Sequence, residues 1–254
     1  MTLASRLAEL VPDRSFARTI ALAHQRFEPI LGQLRALVRP DQTVLDVGAW
    51  YGPWTQKAAR IARSVITVEA NPDLAAFVAR TTPPNVEVIA KAASDQVGTA
   101  TLWLPPGRRG TEGRASLSRL EGGTPVDVET FRLDSLDIEG LGLIKVDVEG
   151  HERQALLGST GLIEKWRPSL VVEIEDALSP AKDTLTLLDE WGYVGWYYRD
   201  RQWSALAGFD IAAHQRDMAD HLGDGYLKAL LTGSGARYVN TVLFLPPEVA
   251  SPPA

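Results

Sequence analysis

Cysteine is absent from all 254 residues. That one absence excludes disulfides, cysteine–zinc sites, cysteine-ligated iron–sulfur clusters and a thiol nucleophile. An excess of positive charge is lacking too. Lys plus Arg is 26 against 32 for Asp plus Glu, a formal net charge of −6. A mildly acidic chain is poorly suited to wrapping nucleic acid by phosphate neutralisation, so no nucleic-acid partner is expected. No apolar run approaches the ~20 residues that span a bilayer. The first ten residues carry Arg6 and Glu9 and no uninterrupted apolar stretch. A secretory leader is therefore not expected, and the cytosol is the default compartment. What is present is the ordinary globular balance, 45% hydrophobic and 23% charged, which excludes a collagen-like or largely disordered chain.

The length suits one large α/β domain. Residues 14–38 show apolar spacings of three and four, interrupted at Pro29, and predict two helices that brace or cover the main domain. From residue 43 short β-branched runs alternate with helical stretches. Thr43 to Val47, Val65 to Glu69, Val86 to Ala90, Leu143 to Val148 and Leu170 to Ile174 read as strands. Helices are expected from Thr55 to Ala62, after Asn71-Pro72, from about His151, and from Ser179-Pro180 to near Trp191. That alternation means βαβ units and a parallel sheet. Thr99 to Leu104 and Val126 to Leu133 read as further strands around a Gly-, Pro- and Arg-rich loop, 105–125. Tyr193 to Tyr198 and Tyr238 to Phe244 are also strand-like. The stretch after Trp203 is poorly periodic until a short helix near 226–231. The expected divisions are a helical extension over 1–40, one domain over 41–246 and a Pro-rich tail over 247–254.

Ligands of open parallel sheets sit at the carboxyl ends of the strands. Those ends carry a ring of carboxylates: Asp46, Glu69, Asp147, Glu149 and Glu152, then Glu173, Glu175 and Asp176. The first turn reads Asp46-Val47-Gly48-Ala49-Trp50-Tyr51-Gly52. It is not the Gly-x-Gly-x-x-Gly dinucleotide fingerprint, because Trp50 occupies the middle. Gly48 tolerates positive φ and lets backbone approach a ligand. Asp46 would repel a pyrophosphate but welcome a cation. Glu69 ends the next strand, where a carboxylate accepts ribose hydroxyls. Together these features favour a nucleoside ligand that is not a phosphate, and S-adenosylmethionine fits.

Three blocks resemble the successive motifs of FkbM-type S-adenosylmethionine-dependent methyltransferases. They are Val44 to Gly52, Val68 to Pro72, and Ile144-Lys145-Val146-Asp147-Val148-Glu149-Gly150-His151-Glu152. Ala155 to Gly158, Pro168 to Ile174 and Asn240 to Pro246 resemble that family as well. The resemblance implies a class I methyltransferase, a Rossmann-like α/β fold with a seven-stranded, mostly parallel sheet, helices on both faces and an antiparallel last strand. It also implies that Asp46 and Gly48 hold the methionine end, Glu69 the ribose, and Ser94-Asp95 the adenine edge. Trp50, Gly52 and Asn71 lie in the same motifs and join the candidate cofactor-binding set.

Asp147 ends a central strand and can face the sulfonium. Methyl transfer to a hydroxyl must release a proton, and His151 suits the general base, with Glu149 and Glu152 as alternatives or partners. Asp147 and Glu149 are expected to raise the pKa of His151. Adjacent strands lie about 4.8 Å apart, so Asp147, Glu175 and Asp176 are candidates to share a divalent cation such as magnesium. His24, His214 and His221 have no such context and read as ordinary. Arg108 to Arg119 reads as a solvated loop that could close over an anionic acceptor. The expected activity is methyl transfer from S-adenosylmethionine to a hydroxyl of a small molecule, a sugar or secondary metabolite. Alternatives are a nicotinamide-dependent oxidoreductase and a non-catalytic S-adenosylmethionine-binding scaffold. A homo-oligomer is compatible with the sequence.

Overall fold

A computed structural model describes residues 11–106, 115–222, 238–249 and 251–253. The strands are β1 (Thr43–Val47), β2 (Ser64–Val68), β3 (Val86–Ile89), β4 (Ala92–Ala93), β5 (Gly98–Leu104), β6 (Thr124–Phe131), β7 (Leu141–Val146), β8 (Ser169–Glu173), β9 (Val194–Arg199), β10 (Gln202–Ala205) and β11 (Thr241–Leu245). The helices are α1 (Asp13–His24), α2 (Pro29–Gly32), α3 (Leu34–Leu37), α4 (Pro53–Ala58), α5 (Pro72–Thr81), α6 (Glu152–Leu157), α7 (Thr160–Trp166), α8 (Ala181–Glu190) and α9 (Ile211–Leu222).

The main sheet runs β10-β9-β11-β8-β7-β1-β2-β3. Strands β3, β2, β1, β7 and β8 are parallel. The last strand, β11, lies antiparallel between β8 and β9. This is the expected class I arrangement with one strand more than the seven anticipated. The addition is β10, which folds back on β9 through Asp200-Arg201. Both residues have positive φ, 51° and 64°, as a two-residue type I′ hairpin turn requires. No Gly or Asn marks that turn. A separate small sheet, β4-β6-β5, carries the 92–131 segment.

Alternation along the central strands decides what lies on each face. Leu45, Val47, Ile144, Val146, Leu170 and Val172 face the layer of α6, α7 and α8. Val44, Leu143, Val171 and Leu243 face Ile30, Leu31, Leu34 and Trp54. The N-terminal helices are therefore a covering layer of the sheet, as the sequence predicts, with three short helices in place of two. Helix α1 packs Phe16 and Ala17 beside Tyr51, Phe77 and Val78. Each fully buried aliphatic contributes roughly 1.5–3 kcal/mol, so both layers are strongly held.

Toward the carboxyl ends, the second face changes character. The same alternation that presents Val44, Val65, Leu143 and Val171 next presents Asp46, Thr67, Lys145 and Glu173. Asp46 pairs in register with both Thr67 and Lys145. These polar groups lie in the middle of the sheet, and burial there is costly unless they satisfy one another.

Helix α9 was not anticipated. Its inward residues include Ile211 and Gln215, both buried, so a polar side chain occupies a core-facing position and blurs the apolar period. Gln215 donates to the carbonyls of Ile174 (2.5 Å) and Val239 (3.1 Å) and accepts from the Asp176 N–H (2.9 Å). The helix expected near 226–231 and residues 107–114 of the Arg-rich loop lie outside the described residues, as does the side chain of His221.

Candidate active site

A cavity of about 970 Å³ opens at the carboxyl ends of β1, β2, β7 and β8. That is the top of the range of roughly 300–1,000 Å³ for ligand sites, with room for two small molecules side by side.

The β1 turn forms its floor. Gly48 has φ 79°. A Cβ there would meet the Asp147 carbonyl oxygen at 1.6 Å. Glycine is thus required by the approach of the β7 end, a reason different from the ligand approach that the sequence suggested. Gly52, φ 75°, starts α4 in the left-handed region. Glu69 lines the cavity and is buried. Its Oε2 accepts from the Trp50 N–H (2.8 Å) and its Oε1 from the Asn71 N–H (2.9 Å). A further backbone bond, from Ala49, also reaches this carboxylate, so of its roughly four lone-pair sites one is left for a ligand hydroxyl. Burial pushes the Glu69 carboxyl up, while the backbone bonds from Asn71 and Trp50 and the Lys145 charge oppose that. Asn71 itself caps α5, accepting from the Asp73 N–H (3.0 Å). It therefore positions Glu69 from behind, while Trp50 lines the cavity directly.

Asp46 is not at the surface of the cavity. It is fully buried beneath the turn. Its Oδ2 accepts from Thr55 Oγ1 (2.5 Å), and its Oδ1 lies 3.8 Å from Lys145 Nζ. Burial pushes its carboxyl up, and Lys145 and Thr55 restrain it. The expected direct hold on the methionine end is corrected: Asp46 fixes α4 and Lys145. The repulsion of a pyrophosphate by Asp46 falls for the same reason. Lys145, also buried, donates to the Gly48 carbonyl and lies 3.3 Å from Asp147 Oδ2. It ties the ends of β1 and β7 together. A lysine inside an apolar run was the sequence signal for it.

His151 lines the cavity at the start of α6. Its Nε2 is 3.1 Å from Ser94 Oγ, which in turn donates to Asp95 Oδ1 (3.2 Å). With the Ser94 proton directed at Asp95, Nε2 is the N–H and Nδ1 holds the lone pair. Burial lowers the His151 pKa and Asp95 opposes the shift. The expected rise caused by Asp147 and Glu149 is thus corrected: desolvation wins, and the nearby charge is Asp95. Ser94 and Asp95 stand behind His151, and the cavity wall at that edge is Lys91, Ala92 and Ala93.

Glu152 is turned away from the cavity. Its Oε1 accepts from the N–H groups of Val148 and Gly150, both at 3.0 Å. It clasps the loop in which Glu149 and Gly150 take positive φ, 53° and 95°. Burial pushes its carboxyl up. Its alternative role as base is corrected to a loop-holding one. Glu149 lines the cavity, and its carbonyl accepts from Ser116 Oγ (2.7 Å).

The cation triad is corrected as well. Val146 pairs with Val172, so the next register step places Asp147 opposite Glu173, not Glu175 or Asp176. Both Glu175 oxygens accept from Tyr238 Oη (2.8 and 2.6 Å). Asp176 accepts from the Ala181 N–H (3.0 Å) and lies 3.8 Å from Arg216. Among the described residues, no group of three His, Asp or Glu side chains is arranged around a common centre.

Glu173, one of the strand-end carboxylates to which the sequence assigns no role, belongs to the site. It lines the cavity, its Oε1 accepts from Asn240 Nδ2 (2.8 Å), and its buried Oε2 has no partner. Burial first, then Asp147, Glu149 and Glu152, push its carboxyl well up. A charge within the apolar run Leu170 to Ile174 was its signal. Of the other histidines, His214 accepts from the Val239 N–H (3.1 Å), whereas His24 lines the cavity. Arg119 lines it too and lies over the Trp103 ring at 5.6 Å; Arg108, Arg109 and Arg114 lie outside the described residues.

The family model of the Methyltransferase FkbM domain matches residues 46–194. The chain belongs to the FkbM methyltransferase family, a family whose methyl donor is S-adenosylmethionine. The matched segment runs from Asp46 to the start of β9. It includes Glu69, His151 and Glu173, and leaves α1 to α3 outside. Membership decides against the nicotinamide-dependent alternative. No curated protein matches the chain. Among solved structures, the FkbM methyltransferase of Methylobacillus flagellatus is similar at 14% identity and a TM-score of 0.46, over 82% of this chain and 44% of that one. The chain thus spans less than half of that relative. An rRNA methylase of Streptococcus thermophilus is similar at 12% identity and a TM-score of 0.43, over 68% and 87% of the two chains. A SAM-dependent methyltransferase of Aquifex aeolicus is similar at 14% and 0.41, over 76% and 95%. No helix among the described residues is long and apolar enough to cross a membrane.

Proposed function

We propose that this FkbM-family protein methylates a hydroxyl oxygen of a small molecule, with S-adenosylmethionine as donor. The observation that carries the reading is one cavity holding both a nucleoside cradle and a base. The cradle is Glu69, with a lone pair to spare for a ligand hydroxyl, beside the Gly48 turn. The base is His151, held in the Nε2–H tautomer by Ser94 and Asp95.

Bound S-adenosylmethionine supplies an electrophilic methyl group whose sulfur leaves as a neutral thioether. The acceptor oxygen forms the new bond to carbon, and its proton passes to His151 Nδ1. Glu69 would accept a ribose hydroxyl. Asp147, at the end of β7, would face the positive charge of the sulfonium. Glu173, whose carboxyl is pushed well up by burial and by Asp147, Glu149 and Glu152, lines the same cavity, and its unpartnered Oε2 is free to bond an acceptor hydroxyl and orient it. The cavity wall formed by Gln215, Tyr238 and Asn240 adds polar groups suited to a hydroxylated acceptor.

Calorimetry with S-adenosylmethionine, S-adenosylhomocysteine and NAD tests the donor half. Binding of the first two without the third is expected, and binding of NAD alone would overturn it. Glu69→Ala should weaken S-adenosylhomocysteine by about 1.5–3 kcal/mol, the scale of hydrogen bonds to a charged group. An unchanged dissociation constant in a folded variant would remove Glu69 from the site. Incubation with methyl-labelled donor and a panel of sugars, phenols and amines tests the acceptor half, and label found only on amines would refute oxygen methylation.

A further inference from the structure

The N-terminal layer adds a group to the cavity that the family match does not include. His24 is the last residue of α1, and the chain turns so that the Glu28 N–H bonds back to the His24 carbonyl (2.9 Å). This brings the Glu28 carboxylate onto the His24 ring, with Nε2 to Oε1 at 2.6 Å. The other oxygen, Oε2, accepts from Trp54 Nε1 (2.5 Å). Burial would raise the Glu28 carboxyl, yet His24, Lys145 and Trp54 outweigh it and hold it at about 2. Glu28 is therefore ionised and acceptor-only, and Nε2 of His24 carries the proton of the bond.

The other nitrogen, Nδ1, is buried without a hydrogen-bond partner. An orphaned buried polar atom is costly and calls for an explanation. Its surroundings supply one. His24 lines the cavity, and its ring lies 5.8 Å from that of Trp50. The Trp50 N–H is the group bound by Glu69. His24 thus stands beside the Gly48–Trp50 turn, one residue from the group that bonds the ribose acid.

We propose that His24, oriented by Glu28, binds the amino-acid end of the methyl donor through Nδ1. The inference rests on the S-adenosylmethionine reading and deepens it. With the ribose at Glu69, the methionine portion crosses the turn beside His24. That portion is a zwitterion. Its ammonium suits Nδ1 of a neutral ring, and its carboxylate suits Nδ1–H of a protonated one. The N-terminal helices are thereby a working part of the donor site as well as a cover for the sheet.

His24→Gln is the selective variant. A glutamine amide can replace Nε2 toward Glu28 and has nothing at the position of Nδ1. Binding is measured by calorimetry with two probes. S-adenosylhomocysteine has the amino-acid end, and 5′-methylthioadenosine lacks it. The expected result is a loss of roughly 10- to 100-fold for the first and a change within twofold for the second. Equal losses for both probes, or none for either, would overturn the assignment, with thermal melts confirming that the variant is folded. Failure of the wild-type protein to bind either probe sinks the donor reading itself, and the His24 assignment with it. Wild-type binding with an unselective His24→Gln defect sinks the assignment alone.

Discussion

Replacing His151 with alanine should cut turnover by roughly two orders of magnitude or more, while affinity for S-adenosylhomocysteine stays within a few-fold. Most of the barrier reduction in methyl transfer comes from holding the acceptor oxygen in line with the methyl group. A positioned base adds typically about 10²–10⁴-fold, and that increment is what the substitution removes. The pH profile carries the more specific signature. His151 must be neutral to accept a proton, so activity rises with pH through its pKa. Burial lowers that pKa below the ordinary imidazole value, with Asp95 opposing. The acidic limb of the wild-type profile should therefore lie below about pH 6.5, and the base is free at neutral pH. Asp95→Asn removes the opposing charge and should move the limb further down. A His151→Ala variant with near-native turnover at every pH would transfer the role to Asp147 or Glu149. An acidic limb that moves up in Asp95→Asn would contradict the electrostatic account.

The architecture was legible because its signals are local. Apolar β-branched runs alternating with capped helices, such as Asn71-Pro72 before α5, predict the parallel sheet. Positions where a turn demands a special residue, Gly48 and Gly52, were also legible as positions. Their reasons were not: Gly48 is needed because the Asp147 carbonyl occupies the space of a Cβ, a contact between residues 99 apart. The same limit explains the candidate site. Sequence spacing places carboxylates at strand ends, but only the register says which face each other. It sets Asp147 against Glu173 and leaves Glu175 to Tyr238. Glu152 looked catalytic beside His151 and instead holds its own loop. His24 looked ordinary because nothing nearby in sequence shows that α1 ends against the cavity. Buried polar residues in apolar strands, Lys145 and Glu173, were visible signals whose meaning depends on partners from other elements.

Lys145→Met should destabilise the fold by about 3–5 kcal/mol, the scale for breaking a buried ion pair by removing one partner. For a chain of this size that is a drop of roughly 6–20 °C in melting temperature. Methionine matches the lysine stem in volume, so the loss reports on charge more than on packing. Burial alone would lower the Lys145 pKa, but Asp147, Asp46 and Glu28 outweigh it and raise it. The ammonium is therefore more stable in the folded chain than in the unfolded one. Its contribution is fully present below the unfolded lysine value of about 10.4 and is lost as pH rises through the folded one. Glu28 works in the opposite sense. Its carboxyl is lowered to about 2, so its contribution is present above the unfolded value and is lost as pH falls toward the folded one. Without Lys145, part of what holds Glu28 ionised disappears, so the acid-linked loss of stability from Glu28 should be smaller and should be complete at a higher pH than in the wild type. Asp46→Asn combined with Lys145→Met should recover part of the deficit, because the double variant no longer buries that carboxylate against a missing cation. Urea unfolding at pH 7 and pH 4 measures all of these. A single variant within about 1 kcal/mol of the wild type, or a double variant whose losses simply add, would show that Asp46 and Lys145 do not act as a pair at the base of the cofactor turn.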